Sequence, residues 1–176
     1  MFQMHNKKTS RTLKGMISSG LFLLSSLCFA LPEDSQKEIN IASDSALLDK
    51  LAGEVIYTGN VKMQQGSLKI DADKITISRD KNGLEKVIAH GQPAKYEQLI
   101  DQQDGKTHAY GNTIIYHTLA QELTLLKNAG LEKEGNVFAG DKIVYLIKEQ
   151  RVKAESPEPQ ERIRMVIQPK KDQAEQ

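Results

Sequence analysis

Three histidines, two aspartates and two lysines are the side chains of this sequence best suited to chemistry, and their spacing favours none of the usual reactions. His90, His108 and His117 form no H-x-H or H-E-x-x-H pair. A metal-dependent jelly-roll enzyme of the cupin type needs a paired H-x-H with a nearby glutamate, so these read as exposed or turn histidines. Asp73 and Asp141 could serve as an acid pair for glycoside hydrolysis. They occupy equivalent places in two copies of a repeated pattern, however, which suits a turn-forming role. Lys74 and Lys142 beside them could meet an anionic group, but solvated strand ends are the simpler reading. Gly59 and Gly66 read as bend and turn residues. The sequence has no G-x-S-x-G, P-loop or G-x-G-x-x-G motif, so no catalytic centre and no cofactor is expected.

The elements that would have to position such residues are strands. In Tyr57–Ile77, Val61 and Met63 alternate with polar residues, as do Leu68, Ile70 and Ala72, with a turn at Gln64-Gln65-Gly66 between the runs. A period of two marks half-buried β-strands. After Ala72 the apolar residues change parity to Ile75 and Ile77, which predicts a bulge or corner at Asp73-Lys74. The pattern returns at Gly111-Asn112-Thr113-Ile114 and at Gly140-Asp141-Lys142-Ile143, giving a degenerate hairpin repeat.

Further strands are expected over Lys37–Ser43, Asp44–Lys50, Glu54–Met63 (bent at Gly59-Asn60), Ser67–Ala72, Lys74–Arg79, Leu84–His90 and Ala94–Leu99. Gly91-Gln92-Pro93 reads as a break, Asp80-Lys81-Asn82-Gly83 as a turn and residues 100–106 as a polar loop. Then come Thr107–Tyr110, Thr113–His117, Gln121–Lys127, Leu131–Glu134, Asn136–Ala139, Lys142–Lys148 and Arg151–Glu155. Ser156-Pro157-Glu158-Pro159 interrupts, Arg162–Gln168 alternates once more, and residues 169–176 read as a disordered tail. Short connections imply antiparallel neighbours, and no long segment has helical periodicity. The fold class is all-β: a sandwich, barrel or jelly roll.

The N-terminus has the form of a secretory signal peptide. Lys7, Lys8, Arg11 and Lys14 precede an apolar run from Met16 to Phe29, and Cys28-Phe29-Ala30 suits a cut after Ala30. An uncleaved anchor is the alternative. Leu27 before Cys28 does not fit a lipobox. Loss of residues 1–30 leaves a single domain over 31–168 and removes the only cysteine. It also takes four of the 24 basic residues, leaving 20 against 23 acidic, a net charge of −3. That argues against nucleic acid as a partner. Phe138 becomes the only phenylalanine, there is no tryptophan, and the interior is built mainly of Ile, Val and Leu. Such an interior suits an ordinary β core and a wall for aliphatic chains equally.

Taken together, I-N-I-A-S-D (39–44), Y-T-G-N-V (57–61), Q-G-S-L-K-I-D-A-D-K-I (65–75), H-G-Q-P-A (90–94) and G-D-K-I-V-Y-L-I-K-E-Q (140–150) resemble the LptA family of lipopolysaccharide transport proteins, the OstA-like group. The resemblance runs in order from Ile39 to Glu155. It implies an open, slightly twisted β-jelly roll of about sixteen antiparallel strands, periplasmic and non-catalytic. It also implies lipopolysaccharide as cargo, and as partners an inner-membrane export complex and an outer-membrane assembly protein. Subunits would join end to end into a bridge through edge strands, with Glu38–Ser43 at one end and Arg162–Gln168 at the other.

By alternation, the residues expected to line such a groove are Ile39, Ile41, Val55, Tyr57, Val61, Met63, Leu68, Ile70, Ile75, Ile77, Ile114, Tyr116, Leu123, Leu125, Phe138, Ile143 and Tyr145. For each, plain core packing is the competing role. Two other functions compete with the bridge: a soluble cap or regulator of the same fold, and a periplasmic carbohydrate-active enzyme.

Overall fold

The computed structural model describes residues 34–80, 83–101, 105–156 and 162–169. The expected signal peptide, the Pro157/Pro159 interruption and residues 170–176 lie outside them. So do Lys81 and Asn82 of the expected turn and residues 102–104 of the expected polar loop.

A 3₁₀ turn at Asp34–Gln36 leads into ten strands. They are β1 (Ile39–Ala42), β2 (Ser45–Asp49), β3 (Glu54–Gln65), β4 (Leu68–Asp80), β5 (Gly83–Asp101), β6 (Gly105–His117), β7 (Glu122–Lys133), β8 (Asn136–Leu146), β9 (Arg151–Glu155) and β10 (Arg164–Val166). All pairings are antiparallel, in the order β1-β3-β4-β5-β6-β7-β8-β10. β2 also pairs with β3, and β9 with β8.

Several strands expected to be separate prove to be halves of one. Gly91-Gln92-Pro93, with its cis Gln92–Pro93 bond, does not end β5. The last strand covers only Arg164–Val166, not Arg162–Gln168. Each interface between long strands slips register near its middle, at Thr58/Val61, Asp71/Lys74, His90/Ala94, Tyr110/Thr113 and Leu126/Ala129. The repeated small-Asp/Asn motif marks this line of corners at Asp73, Asn112 and Asp141. Gly59, Asn60, Lys127 and Asn128 serve it with positive φ. β8 changes partner there, pairing with β10 through Val137–Ala139 and with β9 through Lys142–Leu146. Counting the six bent strands, β3–β8, twice recovers the sixteen segments that the resemblance implies.

The corners divide the sheet into two leaves. Leaf 1 contains β2, β9 and the halves of β3–β8 that lie between them. Leaf 2 contains β1, β10 and the other halves. On a flat sheet Tyr116 would lie opposite Val87, nine residues along β5 from Tyr96, and so about 30 Å from it. The Tyr96 and Tyr116 rings instead meet edge to face with centroids 6.1 Å apart. The sheet is therefore folded over, leaf on leaf. Ala72, Ala89, Ala94, Gly111 and Ala129 are small and buried where the leaves converge.

In β4 a parity change at the corner keeps apolar side chains inside. Leu68, Ile70 and Ala72 face in before the corner, and Ile75 and Ile77 after it. Without the bulge, the inner residues of one half would point to water. Ile75 is fully buried, whereas its neighbour Thr76 is half-buried on the outer face. Ile75→Ala should cost about 2–5 kcal/mol in urea unfolding, and Thr76→Ala no more than about 0.5 kcal/mol.

Candidate functional site

The interior is organised as cross-strand rows that run from one sheet edge to the other. In leaf 1 one row reads Leu48, Val55, Ile77, Val87, Tyr116, Leu123, Tyr145 and Val152. A second reads Ala46, Tyr57, Ile75, Ala89, Ile114, Leu125, Ile143 and Ala154. Leaf 2 contributes Ile41, Met63, Ile70, Tyr96, Ala109, Leu131, Phe138 and Met165. At about 4.8 Å per strand step, each row spans roughly 34 Å. Every residue in these rows is apolar or tyrosine.

Twelve of the seventeen expected lining residues fall in one buried cluster: Val61, Met63, Leu68, Ile70, Ile75, Ile77, Ile114, Tyr116, Leu123, Leu125, Ile143 and Tyr145. Ile39, Ile41, Tyr57 and Phe138 pack against it, and Val55 is half-buried in the first row. The cluster also holds Ala72, Val87, Ala89, Ala94, Tyr96, Ala109, Ala129, Leu131 and Ile147, which the expected set omits. Alternation within Leu84–His90 and Ala94–Leu99 carries that signal for the β5 members. Ala109 and Ala129 carry none, because an alanine in a strand is uninformative until its neighbour across the fold is known. Burial is the first cause that pushes the Tyr96 phenol well above its ordinary range and raises that of Tyr116.

The candidates for chemistry do not assemble. His90 faces Thr113 on the surface, with Nδ1 3.1 Å from Oγ1, and His108 Nδ1 lies 3.5 Å from Glu97 Oε2. Among the described residues no three His, Cys, Asp or Glu side chains gather as metal ligands. Asp73 and Asp141 sit on β4 and β8, four strand steps or about 19 Å apart along the sheet. That is far beyond the roughly 5–9.5 Å of a glycosidase pair. Lys142 is engaged with Glu155 at 2.8 Å across the β8–β9 ladder.

The sheet does not close on itself: its order ends at β1 and β10, with β2 and β9 as the matching edges of leaf 1. Leu47 and Leu48 on β2 are about three-fifths exposed (61% and 59%), and Ile163, Met165, Val166 and Ile167 are exposed at β10. The inner rows therefore open at both edges of the sheet.

A family model described as LptA/(LptD N-terminal domain) LPS transport protein matches residues 40–151. The chain belongs to this family. It is 42% identical over 154 residues to the lipopolysaccharide export system protein LptH of Pseudomonas aeruginosa, covering 84% of this chain and 88% of that one. To LptA of Escherichia coli K12 it is 34% identical over 151 residues, covering 84% and 80%. The crystal structure of LptH, described as the LptA-homologous periplasmic component of the lipopolysaccharide transport device of P. aeruginosa, superposes with a TM-score of 0.72. That match has 40% identity and covers 78% of this chain and all of the other. The open, folded-over sheet is thus the LptA-type jelly roll.

On the β9 edge, hydrogen bonds from Lys142 and then Lys153 hold the Glu155 carboxyl down at about 2. A carboxyl depressed in the fold contributes stability that is present above its ordinary value of 4.5 and is lost as pH falls through about 2. In an NMR titration, Glu155 should keep its charge to well below pH 4 at low salt. Because the group is exposed, high salt should move its midpoint back up.

Proposed function

We propose that this protein is a periplasmic carrier of lipopolysaccharide, exported by a signal peptide cut after Ala30, which shelters the lipid's acyl chains between its two leaves. The observation that carries this reading is the set of apolar rows running without interruption from one open sheet edge to the other. Each methylene removed from water is worth roughly 0.8 kcal/mol, so a lipid with several acyl chains needs a continuous apolar path across an aqueous compartment. Burial alone supplies that path, and no bond is made or broken. The relatives named as export-system proteins support the same reading. In it, the inner-membrane export complex hands the lipid to one sheet edge and the outer-membrane assembly protein receives it at the other. The seventeen residues expected from alternation are the lipid-facing set.

Unpaired edges favour the second element of the proposal, head-to-tail assembly. When β1 and β2 of one copy meet β10 and β9 of the next, the ladder continues, the exposed Leu48 and Met165 are covered, and the inner rows join. A contact of this kind does not close and yields a filament.

Photo-crosslinking residues placed at Ile75 or Tyr145 should label lipopolysaccharide in a Gram-negative cell. The same residue at Thr76 or Val144, on the outer face, should not. Failure of both inner sites to label in exported, folded protein would refute the carrier. Separately, sedimentation velocity at rising protein concentration should show growing assemblies for the unaltered chain, and a single monomeric boundary for the Leu48→Lys, Met165→Lys pair.

A further inference from the structure

Among the described residues Asp34 is the only buried carboxylate, 9% exposed, and it lies at the lip of leaf 2 beside the β3–β4 turn. Three neutral donors converge on it. The Ser67 amide donates to Oδ1 at 2.8 Å, the Ser67 hydroxyl to Oδ2 at 2.6 Å, and Gln98 Nε2 to Oδ2 at 2.8 Å. A second layer of bonds reaches the two side-chain donors. Ser67 Oγ accepts from the Leu99 amide at 3.1 Å, and its own proton has Asp34 Oδ2 at 2.6 Å as a much nearer acceptor than the Leu99 carbonyl at 3.4 Å. Gln98 Oε1 accepts from the Tyr96 hydroxyl, which turns its amino group the same way. Gly66 keeps the space open: its φ is +59°, and a Cβ there would collide with Asp34 Oδ1. This is a built cradle for two oxygens that share a negative charge, and through Gln98 it reaches the hydroxyl of the buried Tyr96.

We propose that the cradle of Ser67 and Gln98 is a phosphate-binding site for the headgroup of the carried lipid, and that Asp34 fills it as an internal stand-in when no lipid is bound. The inference rests on the carrier reading. A lipid whose chains lie along the inner rows must leave its anionic group at the lip, beside Tyr96. Carboxylate and phosphate oxygens take the same donors, and two anions cannot share one cradle, so headgroup binding displaces Asp34. Displacement also frees Gln98 from Asp34, and through it Tyr96, whose ring forms the edge-to-face contact with Tyr116 on the opposite leaf. Headgroup binding is thereby linked to separation of the leaves.

The experiment compares the full mature chain with Asp34→Ala, Asp34→Asn and the Ser67→Ala, Gln98→Leu pair. The probes are diphosphorylated lipid A, its phosphate-free counterpart and inorganic phosphate. Affinity and the Ser67 and Leu99 amide NMR signals are read out. Removing the stand-in should raise affinity for the diphosphorylated lipid about tenfold, the size of one charge-assisted hydrogen bond. Its preference over the phosphate-free lipid should fall by a similar factor in the Ser67→Ala, Gln98→Leu pair. Asp34→Asn keeps the side-chain volume without the charge and should move in the same direction as Asp34→Ala by less, so the outcome stands even if the alanine variant loosens the fold. A Ser67 shift only with the diphosphorylated lipid identifies the headgroup. A shift with inorganic phosphate alone identifies a free-anion site and overturns the headgroup assignment. No Ser67 shift with either, or one unchanged preference across all variants, overturns the proposal. If neither lipid binds any variant while inorganic phosphate still moves Ser67, the carrier reading falls, the headgroup assignment falls with it, and the anion cradle remains.

Discussion

A strand that crosses the corner line must keep its apolar side chains inside on both sides of it. The rest of this structure depends on how that constraint is met. Six strands run through both leaves, and each meets the corner line with a bulge, a positive-φ residue or a local change of register. In β4 the parity changes between Ala72 and Ile75; in β7, where Lys127 and Asn128 both take positive φ, Leu125 and Ala129 keep the same parity. Different local solutions give one result, an interior apolar on both sides of the fold.

The same constraint explains why polar residues with turn character recur at the corners. Asp73, Asn112 and Asp141 sit where the ladder is broken, and residues with short polar side chains tolerate that backbone. What could be taken for a spaced acid pair is a scaffold feature. The candidate functional surface is built from side chains with little chemistry of their own, in rows whose value lies in their continuity.

An open sheet ordinarily invites uncontrolled pairing at its edges. Here the two edges of leaf 1 differ. β9 carries Arg151, Lys153 and Glu155, with Glu155 held by Lys142 and Lys153. β2, at the opposite edge, presents Leu47 and Leu48. One edge strand is lined with charges, while the other exposes two leucines. The polar cradle around Asp34 belongs to neither of these strands; it opens at the end of leaf 2, where the interior meets solvent.

The sequence alone determined the strand type and which side chains share a face: a period of two and its parity changes can be read residue by residue, because a pleated strand must alternate. That is why alternation places Ile75 and Tyr145 inside, and why the corner at Asp73-Lys74 is legible in the residues themselves. Alternation could not show that Ser67–Ala72 and Lys74–Arg79 run on as one strand, since a bulge and a turn have the same local composition. Nor could it place Tyr96 against Tyr116 or bring Asp34 to Ser67 and Gln98, residues 33 and 64 positions away. Those contacts exist only because the leaves fold over the corner line, and the tertiary structure alone decided them.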